Sequence, residues 1–124
     1  MSGRLEIARD CYMAYALGER DLVARHLAAN VAFYSPADPG IDRETYFERC
    51  WPNAESIADF DFIRLVESDD EVFVTYEATR ADGSRFRNAE VLTFAGEKVV
   101  RTEVYFGWEL PSSLVVGAPT VARA

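Results

Sequence analysis

Glu90, Asn88 and Glu77 are the groups in this chain best placed by type and spacing to move a proton, because all three lie in β-rich sequence where alternation decides which face each takes. Glu90 is two positions from both Asn88 and Leu92, so it shares their face with Phe86 and Phe94, while Arg87 and Val91 point the other way. A carboxyl group on such a face loses water. Desolvation raises its pKa toward neutrality, where it can give or take a proton in a transition state. The alternative is a structural carboxylate bonded to a helix tyrosine such as Tyr12 or Tyr15. With Asp82-Gly83 as the centre of a type I′ hairpin, Thr79 pairs with Phe86, Glu77 with Asn88, Thr75 with Glu90 and Phe73 with Leu92. That register puts Glu77 on the wall with Glu90, or at a wet rim of it. Val72, Val74, Tyr76, Ala89 and Val91 then form a second apolar face that needs its own cover, for which a two-fold dimer is the expected one.

The other candidates lie nearer the start of the chain. Tyr46, Phe47, Cys50 and Trp51 repeat at helical spacing and read as a lid over a ligand or as ordinary core, with Trp51 at the mouth. His26 stands beside Leu22 and Leu27 on a short helix and reads as packed or partly exposed, with no metal partners nearby in the sequence. Cys11 and Cys50 have no CxxC spacing, and Asp69-Asp70-Glu71 is too small an oxygen set for Ca²⁺. No glycine-rich phosphate loop or metal cluster is present, so no cofactor is expected.

The elements that must position these groups follow from the change of period along the chain. Helices are expected over residues 3–17, capped by Ser2 and ended by Gly18; over a short stretch from Asp21 to Leu27; and from Asp42 to Pro52. Val31–Ser35 reads as a short strand and Pro36–Gly40 as a loop. Four strands follow, over 60–67, 71–80, 84–94 and 98–108, joined by short polar or glycine-containing links that favour an antiparallel meander. The expected fold is α+β: three N-terminal helices on a strongly curved antiparallel sheet, shaped as a cone-like α+β barrel. The whole chain, residues 1–124, reads as one domain, with 109–124 an extended tail carrying the apolar Leu114-Val115-Val116.

Composition agrees with a single folded unit: of 124 residues 49% are hydrophobic and 27% charged, and a chain of this size can bury a core without metals or disulfides. A formal charge of −8 and a pI near 4.6 disfavour nucleic acid and anionic membrane surfaces as partners. No segment has the length and apolarity of a membrane span or the pattern of a signal peptide, so cytoplasm is the expected compartment.

Four strings carry a resemblance: Leu17-Gly18-Glu19-Arg20-Asp21, Phe33-Tyr34-Ser35-Pro36, Phe86-Arg87-Asn88-Ala89-Glu90 and Val104-Tyr105-Phe106-Gly107. Over about residues 5–108 the chain resembles the SnoaL-like and ketosteroid isomerase-like branch of the nuclear transport factor 2-like superfamily. The resemblance implies a pocket inside the curved sheet. It puts Glu90 at the acidic position that donates a hydrogen bond to the developing oxyanion in ketosteroid isomerases, and Asn88 at a polar pocket position of related hydrolases. Ser35 falls where those isomerases carry their aspartate base, and Cys11 falls near their oxyanion-binding tyrosine, with Tyr12 adjacent and Tyr15 one turn on. Steroid isomerase activity is therefore not expected. Phe106 completes the set of expected ligand-contacting residues. Two functions follow: a cofactor-independent isomerase, cyclase or hydratase acting on a small apolar carbonyl or hydroxyl compound, or a non-catalytic module that binds a hydrophobic ligand or serves as a dimeric accessory domain.

Overall fold

The computed structural model describes residues 3–111; Ser2 and the Leu114-Val115-Val116 patch lie outside the described residues. The first helix, α1 (Arg4–Leu17), turns Ile7, Ala8, Cys11, Tyr12 and Ala14 into the core. Its N-cap is Gly3, and it ends at Gly18, whose φ of 67° suits a residue without a Cβ. Helix α2 (Arg20–Ala24) is a single turn and a half capped by Glu19, shorter than expected, with Val23 buried. His26 is in the turn that follows, and Leu27 already belongs to strand β1 (Leu27–Ser35), held by the Val99 N–H donating to the His26 carbonyl.

The segment expected as a loop is an edge strand. Strand β2 (Asp38–Ile41) folds back on β1, pairing Ser35 with Asp38, Tyr34 with Pro39 and Phe33 with Ile41. Pro39 and Gly40 look like loop chemistry, but an edge strand tolerates a proline because nothing needs its missing N–H. Asp42 caps α3 (Arg43–Arg49), accepting from the Thr45 N–H at 2.9 Å. A 3₁₀ turn over Trp51–Ser56 accommodates Pro52. Strands β3 (Ile57–Ser68), β4 (Glu71–Arg80), β5 (Arg85–Ala95) and β6 (Lys98–Leu110) form the expected meander, so Glu109 and Leu110 extend the last strand rather than begin a tail.

The sheet order is β2-β1-β6-β5-β4-β3. β1 runs parallel to β6, so the sheet is mixed rather than wholly antiparallel, and it stays open, with β2 and β3 at its edges. Irregular registers in β1, β3, β5 and β6 mark bulges, and bulges bend and twist a sheet. The result is a curved sheet with the helices against its inner face.

The β4–β5 register differs by one residue from the expected one, and the turn explains it. The Gly83 N–H donates to the Arg80 carbonyl at 2.9 Å, so the turn centres on Ala81-Asp82 and Gly83 follows at φ 90°. This is the three-residue connection with a glycine bulge, not the two-residue type I′ turn. The pairs are therefore Ala78 with Phe86, Tyr76 with Asn88, Val74 with Glu90 and Val72 with Leu92. A slip of one exchanges the faces of a strand. Val72, Val74 and Tyr76, expected on the outer face, lie in the core at 0%, 1% and 4% exposure, and Phe73, Thr75 and Glu77 face outward instead.

Candidate functional site

The concave face of the sheet and the helices over it enclose a cavity of about 660 Å³, with Tyr12 and Tyr15 above and Phe33, Tyr76, Phe86 and Leu92 among its walls. This is within the range of small-molecule sites. Asn53, Ser56, Arg80, Thr102 and Glu109 also line it, and two further groups of polar side chains are bonded into clusters.

The first is around Glu90. Its carboxylate accepts from the Tyr12 hydroxyl at 2.9 Å on one oxygen and from the Tyr76 hydroxyl at 2.6 Å on the other. Asn88 Nδ2 approaches the Tyr76 oxygen at 3.4 Å, and Asn88 Oδ1 accepts from the Gly107 N–H at 3.1 Å. The carboxyl group sits deep in the protein, and Glu90 is among the residues that line the cavity. Burial pushes its pKa from the ordinary 4.5 up to about 7, and the two tyrosine hydrogen bonds, which favour the charged form, keep it from rising further. Burial also lifts Tyr12, Tyr15, Tyr46 and Tyr76, with Glu90 adding to the effect in each, so all four stay neutral donors.

The second place is the β1–β2 hairpin. Ser35 Oγ donates to Asp38 Oδ2 at 3.1 Å and accepts from the backbone N–H groups of Ala37 and Asp38. Both residues line the cavity. The position that the resemblance left without a base therefore has a carboxylate beside it, supplied three residues later by a strand read as a loop. Sequence reasoning passed over Asp38; the signal was there in the Ser-Pro-Ala-Asp string, a serine followed by turn residues and an acid able to fold back on it.

Of the other expected site residues, Tyr12, Tyr15, Asn88 and Phe106 line the same cavity. Tyr15 and Tyr46 share a hydrogen bond between hydroxyls, and Tyr46 stacks on Phe33 at 3.9 Å. Glu77 and Trp51 are corrections. Glu77 faces the convex side, bonded to Arg85 at 2.5 Å and to Arg87, because the register slip turns it away from Glu90. Trp51 begins the 3₁₀ turn after α3 and packs on Tyr15, ring centroids 5.0 Å apart, and it is not among the residues that line the cavity.

Burial pushes the Cys11 thiol up to about 12 and the Cys50 thiol to about 11, which disfavours the nucleophilic thiolate. His26 Nε2 lies 3.1 Å from Asp10 Oδ2, tying α1 to the turn before β1. No group of three or more potential metal ligands occurs among the described residues.

No family model and no curated protein matches the chain. Solved structures do. A protein from Kribbella flavida superposes with a TM-score of 0.75 at 17% identity, covering 83% of this chain and 85% of that one. An NTF2-like protein of unknown function from Burkholderia pseudomallei gives 0.69 at 19%, covering 86% and 92%. An uncharacterized cystatin-fold protein from Novosphingobium aromaticivorans gives 0.69 at 16%, covering 84% and 98%. At such identities the likeness is one of fold, and the chain has the nuclear transport factor 2-like, cystatin-like α+β fold.

Proposed function

We propose that this protein binds a small, mostly apolar carbonyl or hydroxyl compound in the cavity and uses Glu90 as a general acid or base in a cofactor-independent isomerisation, cyclisation or hydration. The observation that carries this reading is a deeply placed carboxyl group among the cavity-lining residues, bonded on both oxygens by tyrosine hydroxyls, whose burial raises its pKa to about 7. Near neutrality such a group exists in both forms, the condition for efficient proton transfer. When Glu90 is charged, both tyrosine hydroxyls point at it. When it is protonated, it donates to one tyrosine oxygen, and that hydroxyl is released to polarise a ligand oxygen. Asn88, held by Gly107, steadies Tyr76 through this exchange.

A non-catalytic binding module is the second reading, favoured by the satisfaction of both Glu90 oxygens within the protein. Under either reading we expect the chain to pair as a homodimer through its convex sheet face. No described helix is long and apolar enough to cross a membrane.

The test is affinity for 2-tetralone, a bicyclic ketone, measured by calorimetry from pH 5 to 9. A protonated Glu90 frees a donor for the ketone, so affinity falls as pH rises through about 7. In Glu90→Gln the profile is flat. Binding that ignores pH in the unaltered protein contradicts the proposal.

A further inference from the structure

We infer that the Thr102 hydroxyl binds an oxygen of the ligand, so that the compound the cavity takes carries two oxygens one ring apart, one met by the Glu90–tyrosine cluster and one by Thr102. This rests on the cavity being the binding site. Tyrosines and Cys11 aside, Thr102 is the only polar or charged residue among the described residues that is as buried as the apolar core, at 4% exposure. A polar group so placed calls for a reason beyond packing.

The strand pairing sets where its side chain points. Thr102 pairs with Phe33 of β1 on one side and with Leu92 of β5 on the other. Both are core residues, and directly paired residues share a face, so the threonine side chain stands on the concave face between them. All three line the cavity. A threonine hydroxyl carries one donor and two acceptor lone pairs. Among the described residues this one has no hydrogen-bond partner, and the sealed side-chain atoms left without one are Asp38 Oδ1 and Arg43 Nε, not Thr102 Oγ1. The hydroxyl therefore keeps surface, and on the concave face between Phe33 and Leu92 that surface meets the cavity. An occupant that brings only hydrocarbon against it strips the hydroxyl of water without replacement, which costs affinity, whereas an oxygen there restores the bond.

The same strands set the separation from Glu90. Val104, two residues beyond Thr102 on β6, pairs with Glu90, and Leu92 is two residues beyond Glu90 on β5. Thr102 and Glu90 are thus diagonal neighbours across one strand pair, about 7–8 Å apart between backbones. That is the scale of one six-membered ring with oxygens on opposite carbons. Leu92 and Val104, which also line the cavity, supply apolar contact for its hydrocarbon.

The experiment compares 1-tetralone with 4-hydroxy-1-tetralone, whose hydroxyl lies across the same ring from the ketone, by calorimetry on the full chain. The hydroxylated probe binds the unaltered protein about fivefold tighter, the ordinary net value of one neutral hydrogen bond. Thr102→Val replaces the hydroxyl by a methyl of the same shape and brings the two probes to equal affinity; Thr102→Ser keeps the hydroxyl and keeps the preference. Because the hydroxyl holds nothing else in the fold, the valine variant melts no lower than the unaltered protein. Equal affinities in the unaltered protein, a preference that survives Thr102→Val, or a valine variant that melts lower each overturns the inference while the cavity reading stands. Failure of both probes to bind also overturns it, and the 2-tetralone measurement then decides the cavity reading by itself.

Discussion

Glu90 has opposite consequences for stability and for function, and pH separates them. Its folded-state pKa of about 7 lies above the ordinary 4.5, so between those values the folded protein holds a proton that the unfolded chain gives up. The resulting stability is fully present below about 4.5, declines as pH climbs, and is gone above about 7. The whole effect is roughly 3 kcal/mol at about 1.4 kcal/mol per unit. Asp42 and Asp82 are held below their usual values by hydrogen bonds from Thr45 and Ser84, so their contributions are lost as pH falls, the opposite trend. Comparison with Glu90→Gln isolates the one group. Thermal melts should show the glutamine variant gaining on the unaltered protein between pH 5 and 8; a constant difference over that range would remove Glu90 as the source.

At the scale of elements, the bulge in β6 fixes the polar wall. Gly107 is the extra residue between the Asn88–Phe106 and Arg87–Trp108 pairs, and its N–H holds the Asn88 side chain. A Cβ on it would lie 2.0 Å from the Arg87 carbonyl oxygen, a contact only backbone movement relieves. Gly107→Ala should therefore cost about 1–3 kcal/mol in urea unfolding, and a change under about 0.5 kcal/mol would contradict the bulge. The same scale shows what the sequence made legible. Period and composition were enough for α1, α3 and the meander, and alternation within β5 was enough to group Glu90 with Asn88 and Leu92, because residues two apart on one strand keep one face whatever their partner does. Glu77 depended on the turn. Asp82-Gly83 fits a two-residue hairpin and a glycine-bulge hairpin equally in sequence, and only the cross-strand burial of Val72, Val74, Tyr76 and Ala78 decides between them. β2 escaped notice because its pairing is with β1 and its own residues favour turns.

For the whole molecule, the corrected register changes which residues a dimer would bury. The convex face presents Val66, Phe73 and Tyr105 at 52%, 42% and 54% exposure, with Ala89 and Val91 between them, beside the Glu77–Arg85–Arg87 cluster. The inner face is already covered by helices, so this outer apolar strip is where self-association gains most. Sedimentation at about 50 μM, well above a micromolar Kd, should give a dimer, and Phe73→Asp should give a monomer whose cavity still binds 2-tetralone. A monomeric unaltered protein would rule the interface out. A monomer would keep the cavity, since the residues proposed to bind ligand come from one chain.

Ligand recognition and proton transfer in the cavity both turn on the protonation of Glu90. Carbon-13 NMR of the protein labelled at glutamate side-chain carboxyls, with the Glu90 signal assigned by its loss in Glu90→Gln, reads it directly. The signal should titrate with a midpoint near 7, apart from the exposed glutamates. A Glu90 midpoint at the ordinary 4.5 would contradict the proposal that this group works as an acid or base at the cavity wall.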